Sequence, residues 1–260
     1  MLTGRVVFAA IAALAAVLAL AGCGSSGRPA PASTHVKAEV APSHPRIPWT
    51  FTVRGDHRVL PNGSQDTHAA TPGAVCGNDE FARDAAIGRQ VATGFALAGL
   101  SASADLLEHF LAGQGTEIDY GPRSSIARQA MATMAFRAMN KQVQGAILEQ
   151  LKAGQAQVRL SAAQLPTVAF TSTTGDLYWG FRGTQGLTVT GSGTRGSGRY
   201  AGTVTYVIRD SYGFPADDTL DGFGPPMRYL QTVCGAPQHA GGAHWFPDTI
   251  TVTVPLNQPA

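Results

Sequence analysis

Asp210 and Tyr212 are the residues of this chain best placed to do chemistry. They close a run in which Val204, Tyr206 and Ile208 alternate with Thr203, Thr205 and Val207. A strand sends every second side chain to one face, so an acid and a phenol would project together at the strand end. Asp217, Asp218, Asp221 and Arg228 follow in a Pro/Gly-rich loop. Acids gathered at a strand end can carry general acid/base work or hold a cation. The same residues also fit a plainer role, with Asp210 capping a turn, Tyr212 and Phe214 filling the core and the other acids solvated. His239 and His244 share a Gly-rich loop and are the histidines such a site could recruit. No third ligand stands at a telling spacing from them, so neither a metal nor a cofactor is expected. His109, beside Glu108, reads as a solvated or locally bonded histidine.

Other motifs are incomplete. Gly191-Ser192-Gly193-Thr194-Arg195-Gly196 has the letters of a dinucleotide fingerprint. That fingerprint needs a strand before it and a helix after it. Here Tyr200–Ile208 reads as a second strand, which makes the glycines a hairpin loop. There is no Gly-x-Ser-x-Gly elbow and no His-Glu-x-x-His. The formal net charge is +2 and no run of Lys or Arg is present, so nucleic acid is not an expected partner.

The elements that must position Asp210 and Tyr212 come in two groups. Helices are expected over about 79–153, in three pieces. Asn78 or Asp79 caps the first, which carries Phe81, Ala85, Val91 and Phe95. Ser101 or Ser103 caps the second, where Leu106 meets Phe110 and Leu107 meets Leu111 four residues on. It ends at Gly113. The third runs from about Pro122 to Ala153 with a stripe of Ile126, Ala130, Met131, Met134, Ala138, Ile147, Leu148 and Leu151. Gly154 stops it. Strands are expected over about 158–256: Leu177/Trp179/Phe181, Leu187/Val189, Val204/Tyr206/Ile208 and Ile250/Val252/Val254. An earlier strand, Trp49/Phe51/Val53, joins them, and Pro61-Asn62-Gly63 marks a turn in the loop after it. Helices first and strands second give an α+β fold, a helical N-terminal part packed on a curved antiparallel sheet or partial barrel. Residues 47–260 are expected to be a single domain.

The first residues supply an address. Arg5 precedes an apolar run, Val6–Leu20, that is too short for a membrane-spanning helix, which needs about 20 residues. It fits the apolar region of an export signal. Leu20-Ala21-Gly22-Cys23 resembles the lipobox of bacterial lipoproteins. The resemblance implies cleavage after residue 22, acyl chains on Cys23, and a protein held at the extracytoplasmic face of the cell membrane. Residues 23–46, rich in Pro, Ala, Ser and Gly, read as a flexible tether. Cys76 and Cys234 remain, and because an oxidising compartment permits disulfides they are expected to pair. Two free thiols are the alternative.

The C-terminal part, roughly 105–255, also resembles the colicin M-type domain, a half-barrel that cleaves a lipid-linked cell-wall precursor. That family reads Asp-x-Tyr-Asp followed by His-Arg. Asp210-Ser211-Tyr212 matches the first three positions, Gly213 replaces the second Asp, and no His-Arg follows. Two functions are therefore expected in order. The first is a membrane-anchored lipoprotein that binds or builds part of the envelope without catalysis. The second is an envelope-acting hydrolase using Asp210 and Tyr212 with His239 or His244.

Overall fold

Alternating Thr and apolar residues build one open sheet. The computed structural model describes residues 47–55, 75–113, 115–155, 157–160, 165, 168–181, 184–196, 198–214, 222–235 and 242–260. In chain order the elements are β1 (Ile47–Gly55), α1 (Asn78–Leu97), α2 (Ser101–Leu111), β2 (Ile118–Tyr120), α3 (Ser125–Ala132), α4 (Met134–Lys152), α5 (Asp176–Phe181), β3 (Gly186–Gly196), β4 (Arg199–Tyr212), α6 (Gly224–Thr232) and β5 (Phe246–Pro259). The sheet order is β1-β3-β4-β5-β2. Neighbours are antiparallel except the short β2, which runs parallel to β5. The fold is α+β, with the four long strands antiparallel. The described residues all fall within one compact unit, Arg46–Ala260. The leader, Cys23, the tether, the Pro61–Gly63 turn, Asp217, Asp218, Asp221 and His239 lie outside the described residues.

The two sheet faces differ because the register keeps like residues in step. Trp49, Phe51, Val53, Leu187, Val189, Val204, Tyr206, Ile208, Ile250 and Val252 share the inner face and are buried. Helices cover that face. Phe136 of α4 stands edge-on to Tyr206, whose hydroxyl donates to Asn140 Oδ1 at 2.7 Å. Phe110 of α2 meets Tyr212, and Phe181 of α5 meets Tyr120. The outer face carries a row of four threonines in register, Thr52, Thr190, Thr205 and Thr253. Such a face suits water, as one side of an antiparallel sheet can.

The glycine run is part of this sheet and not a loop. Gly191 and Gly193 sit inside β3, opposite Phe51 and Trp49, and β3 continues to Gly196 before β4 begins at Arg199. A Cβ at Gly191 would collide with the Phe51 ring, and one at Gly193 or Gly202 with Trp49. The glycines are a bed on which two large rings lie flat, and the rings stack 6.3 Å apart.

Three helical expectations change. The stretch Leu177/Trp179/Phe181 forms α5 instead of a strand. Its buried residues are Asp176, Leu177, Gly180 and Phe181, a helical spacing that the period-two reading skipped. The long third helix is two. Thr133 breaks it with extended backbone (φ −72°, ψ 151°) and caps α4 by accepting from Phe136 N–H at 3.1 Å. The break resets the phase, so Phe136, Met139, Val143, Ile147 and Leu151 are buried while Met134 is exposed. Neither of the first two helices uses the expected cap. Gly77 precedes α1 and Leu100 precedes α2, and neither gives a side-chain bond. Instead Asp176 of α5 reaches α2, its Oδ1 accepting from Ser103 N–H (2.9 Å) and Ser103 hydroxyl (2.8 Å).

Candidate functional site

Strand β4 carries Asp210 and Tyr212 onto the inner face, in step with Val204, Tyr206 and Ile208. Both are buried, at 7% and 6% exposure. Tyr212 is enclosed by rings. Phe110 lies 6.2 Å away, Phe214 5.8 Å and Phe246 5.5 Å between centroids. Through Phe214, Phe223 and Phe95 this cluster extends to Trp179, so Tyr212 is one member of a continuous aromatic core. Asp210 Oδ1 accepts the N–H of Ser211 at 2.9 Å.

The residue opposite Asp210 is Asp248 of β5. Directly opposed residues on one sheet face have Cβ atoms about 4.5–5.5 Å apart. Two acids therefore face each other where the core would otherwise continue. Asp248 is 0% exposed, and among the described residues neither of its carboxylate oxygens has a hydrogen-bond partner. Burial comes first among the causes that raise its pKa well above the usual carboxylate range, Asp210 second, and Glu117 adds to both. Its own backbone amide partly offsets them. Beside it, Ile118 of β2 pairs with Asp248 and Tyr120 follows two residues on. The Tyr120 hydroxyl is buried without a partner among the described residues. Burial, then Asp105, Asp248 and Asp176, raise its pKa, so it keeps its proton. Such an arrangement can hold protons. Among the described residues no group of three or more His, Cys, Asp or Glu is placed to hold a metal ion.

The other candidates are dispersed. His244 lies in the loop before β5, against the turn that ends α2, since a Cβ at Gly113 would come 3.4 Å from its ring. His109 packs edge-on to Phe246 at 4.4 Å, and its Nε2 donates to the Thr116 carbonyl at 2.9 Å, a local bond. Arg228 stands on α6 and not in a loop. Cys76 and Cys234 are joined by a disulfide that ties the start of α1 to the end of α6. The same junction carries a hydrogen bond from Gly77 N–H to the Tyr229 hydroxyl at 3.0 Å.

Sequence reasoning missed Asp248, although a signal existed. Counting by twos back from Val254, Val252 and Ile250 lands on Asp248 and then Phe246. The alternation that buries Val252 and Ile250 buries the acid with them. The chain matches no protein-family model, no curated protein and no solved structure.

Proposed function

We propose that this protein is a lipid-anchored module on the extracytoplasmic face of the cell membrane, with a binding or structural role at the envelope. The observation that carries the reading is the Cys76–Cys234 disulfide, which joins segments 158 residues apart. Such a bond is kept in an oxidising compartment and is rare in a reducing one. The export signal ending in Cys23 points to the same side of the membrane. One acyl chain holds a protein only marginally, and two hold it stably. Among the described residues no helix is long and apolar enough to cross a membrane.

A binding role is favoured over hydrolysis by how the candidate residues are used. Tyr212 is packed among rings and Asp210 accepts from a backbone N–H. A nucleophile or base needs reach to a substrate before its pKa matters. The partners expected are the membrane, through Cys23, and an envelope component, with no nucleic acid.

The test is the intact mass and fractionation of the protein from its native host, beside Cys23→Ala. Acylated Cys23 in the membrane fraction, and release of the variant, support the proposal. An unacylated chain in the soluble fraction, or free thiols at residues 76 and 234, overturns it.

A further inference from the structure

We propose that the end of the sheet where the chain enters the domain is a docking face for anionic phospholipid headgroups. This role rests on the lipid-anchored reading, in which β1 starts only 24 residues after the acylated Cys23. Register gathers the face. Ile47 stands opposite Arg195, and Arg195 opposite Tyr200, in the last inner-face row of the sheet. Arg199 opens β4 one position further out, opposite Gly196 and Pro259.

Helix α4 brings a third cation to the same end. Its Asn140 takes the Tyr206 hydroxyl in mid-sheet, and its Gln144 donates to the Pro255 carbonyl at 3.3 Å. Pro255 pairs with Thr203, so the helix is heading for the Arg199 end of β4. It closes with Lys152 in its last turn. The chain then comes back along β1. Arg159 exchanges two hydrogen bonds with Gln150, at 2.7 and 2.8 Å, and Gln157 bridges to Thr50.

These cations face solvent. Lys152, Arg159 and Arg199 are exposed and Arg195 is half-buried. Among the described residues none of the four is in an ion pair, and Glu149 is the exposed acid on the last turns of α4. Arg195 lies over the Tyr200 ring, 5.5 Å from its centroid, which holds the guanidinium at the sheet end. Arg199 spends Nε on Asn257 Oδ1 at 3.0 Å, which orients the fork and leaves its Nη donors for a phosphate. Ile47, in the row with Arg195, is 50% exposed and supplies an apolar contact at headgroup depth. The opposite end of the sheet differs in charge, with Glu117, Asp119, Asp210 and Asp248 standing there beside Arg54 and Arg209. Each Lys or Arg near an anionic bilayer is worth about fivefold in partitioning, and the attraction fades within about 10 Å. Weak contacts suffice once an anchor keeps the domain at the surface, because the second contact is then intramolecular.

Vesicle co-sedimentation of the chain from residue 23 onward, carrying Cys23→Ala, tests the face without help from acyl chains. Phosphatidylglycerol vesicles at low salt are expected to bind it, phosphatidylcholine vesicles are not, and salt at about 0.5 M is expected to release it. Arg195→Gln with Arg199→Gln is expected to lower the partition coefficient about 25-fold, and Lys152→Gln alone about fivefold. Lys152 is an exposed helix-end residue, so its variant decides should the loss of Arg195 from the Tyr200 ring disturb folding. Arg89→Gln, on α1 next to the Gly88 that faces Leu111 and Met227, is expected to bind as before. No binding to phosphatidylglycerol, equal binding to both lipids, or an equal loss in Arg89→Gln and Lys152→Gln overturns the proposal. An unacylated Cys23 in the host would remove the anchor and leave the vesicle result unchanged, so the two failures are told apart.

Discussion

At the scale of single residues, glycine does two opposite jobs here. Gly191 leaves room for the Phe51 ring, so Gly191→Ala is an overpacking change. It is expected to cost about 1–3 kcal/mol, read from the urea midpoint. Gly145 lies in the interior of α4 with nothing within 4 Å of a new Cβ. Gly145→Ala is expected to gain about 0.5–1 kcal/mol through helix propensity and a less free unfolded chain. The same chemical change thus has opposite signs at two sites, decided by what lies over the Cα. The candidate site was half legible at this scale. Period-two counting places Asp210 and Tyr212 on the inner face, as observed. What put Asp248 across from Asp210 is strand register, a long-range property that one sequence does not print.

Elements show where local reading runs out. A threonine inside a helical stretch looks unremarkable, yet Thr133 ends α3 and begins α4. Its hydroxyl caps α4, so Thr133→Ala is expected to lose about 1 kcal/mol in thermal or urea unfolding. Serine is expected to keep most of that stability. The cap of α2 was beyond local reading because it comes from residue 176, which is 73 positions from Ser103. Asp176→Ala would strand the Ser103 amide and hydroxyl in the interior, a cost of about 1–3 kcal/mol. Asp176→Asn keeps an acceptor and is expected to lose less in the same denaturation series. The short α5 was misread because Leu177, Trp179 and Phe181 fit a strand by count. Only the neighbours of Asp176 and Gly180 reveal the helical turn, with Gly180 seated against Leu106. The long, strongly patterned strands were legible, since each alternates over many residues.

For the molecule as a whole, the disulfide joins the helical layer to itself, from α1 to α6, and leaves the sheet to hold by pairing and packing. Replacing both cysteines by serine is expected to cost about 2–5 kcal/mol, with the loss reproduced by adding a reductant to the wild type. A reductant that leaves the denaturation midpoint in place would show that the bond contributes nothing. The overall class, helices on one face of an antiparallel sheet, was readable from the order of patterns along the chain. Missing from that reading were the parallel β2 and the helix α6. A three-residue strand has too little pattern to detect, and the Pro-rich opening of α6 resembles a loop.

The bed of glycines under Trp49 and Phe51 also dictates an order of events. Synthesis proceeds from the N-terminus, so β1 is made about 130 residues before β3, the strand it pairs with along its length. The β3–β4 hairpin is local and assembles quickly by comparison. Docking of β1 therefore comes late, although β1 is born first, and its two rings wait uncovered through the making of every helix but α6. Contacts formed after the folding barrier govern how fast a protein comes apart and hardly affect how fast it folds. Widening Gly191 should accordingly quicken unfolding and leave the refolding rate nearly untouched, making β1 the strand that sets the lifetime of the native state.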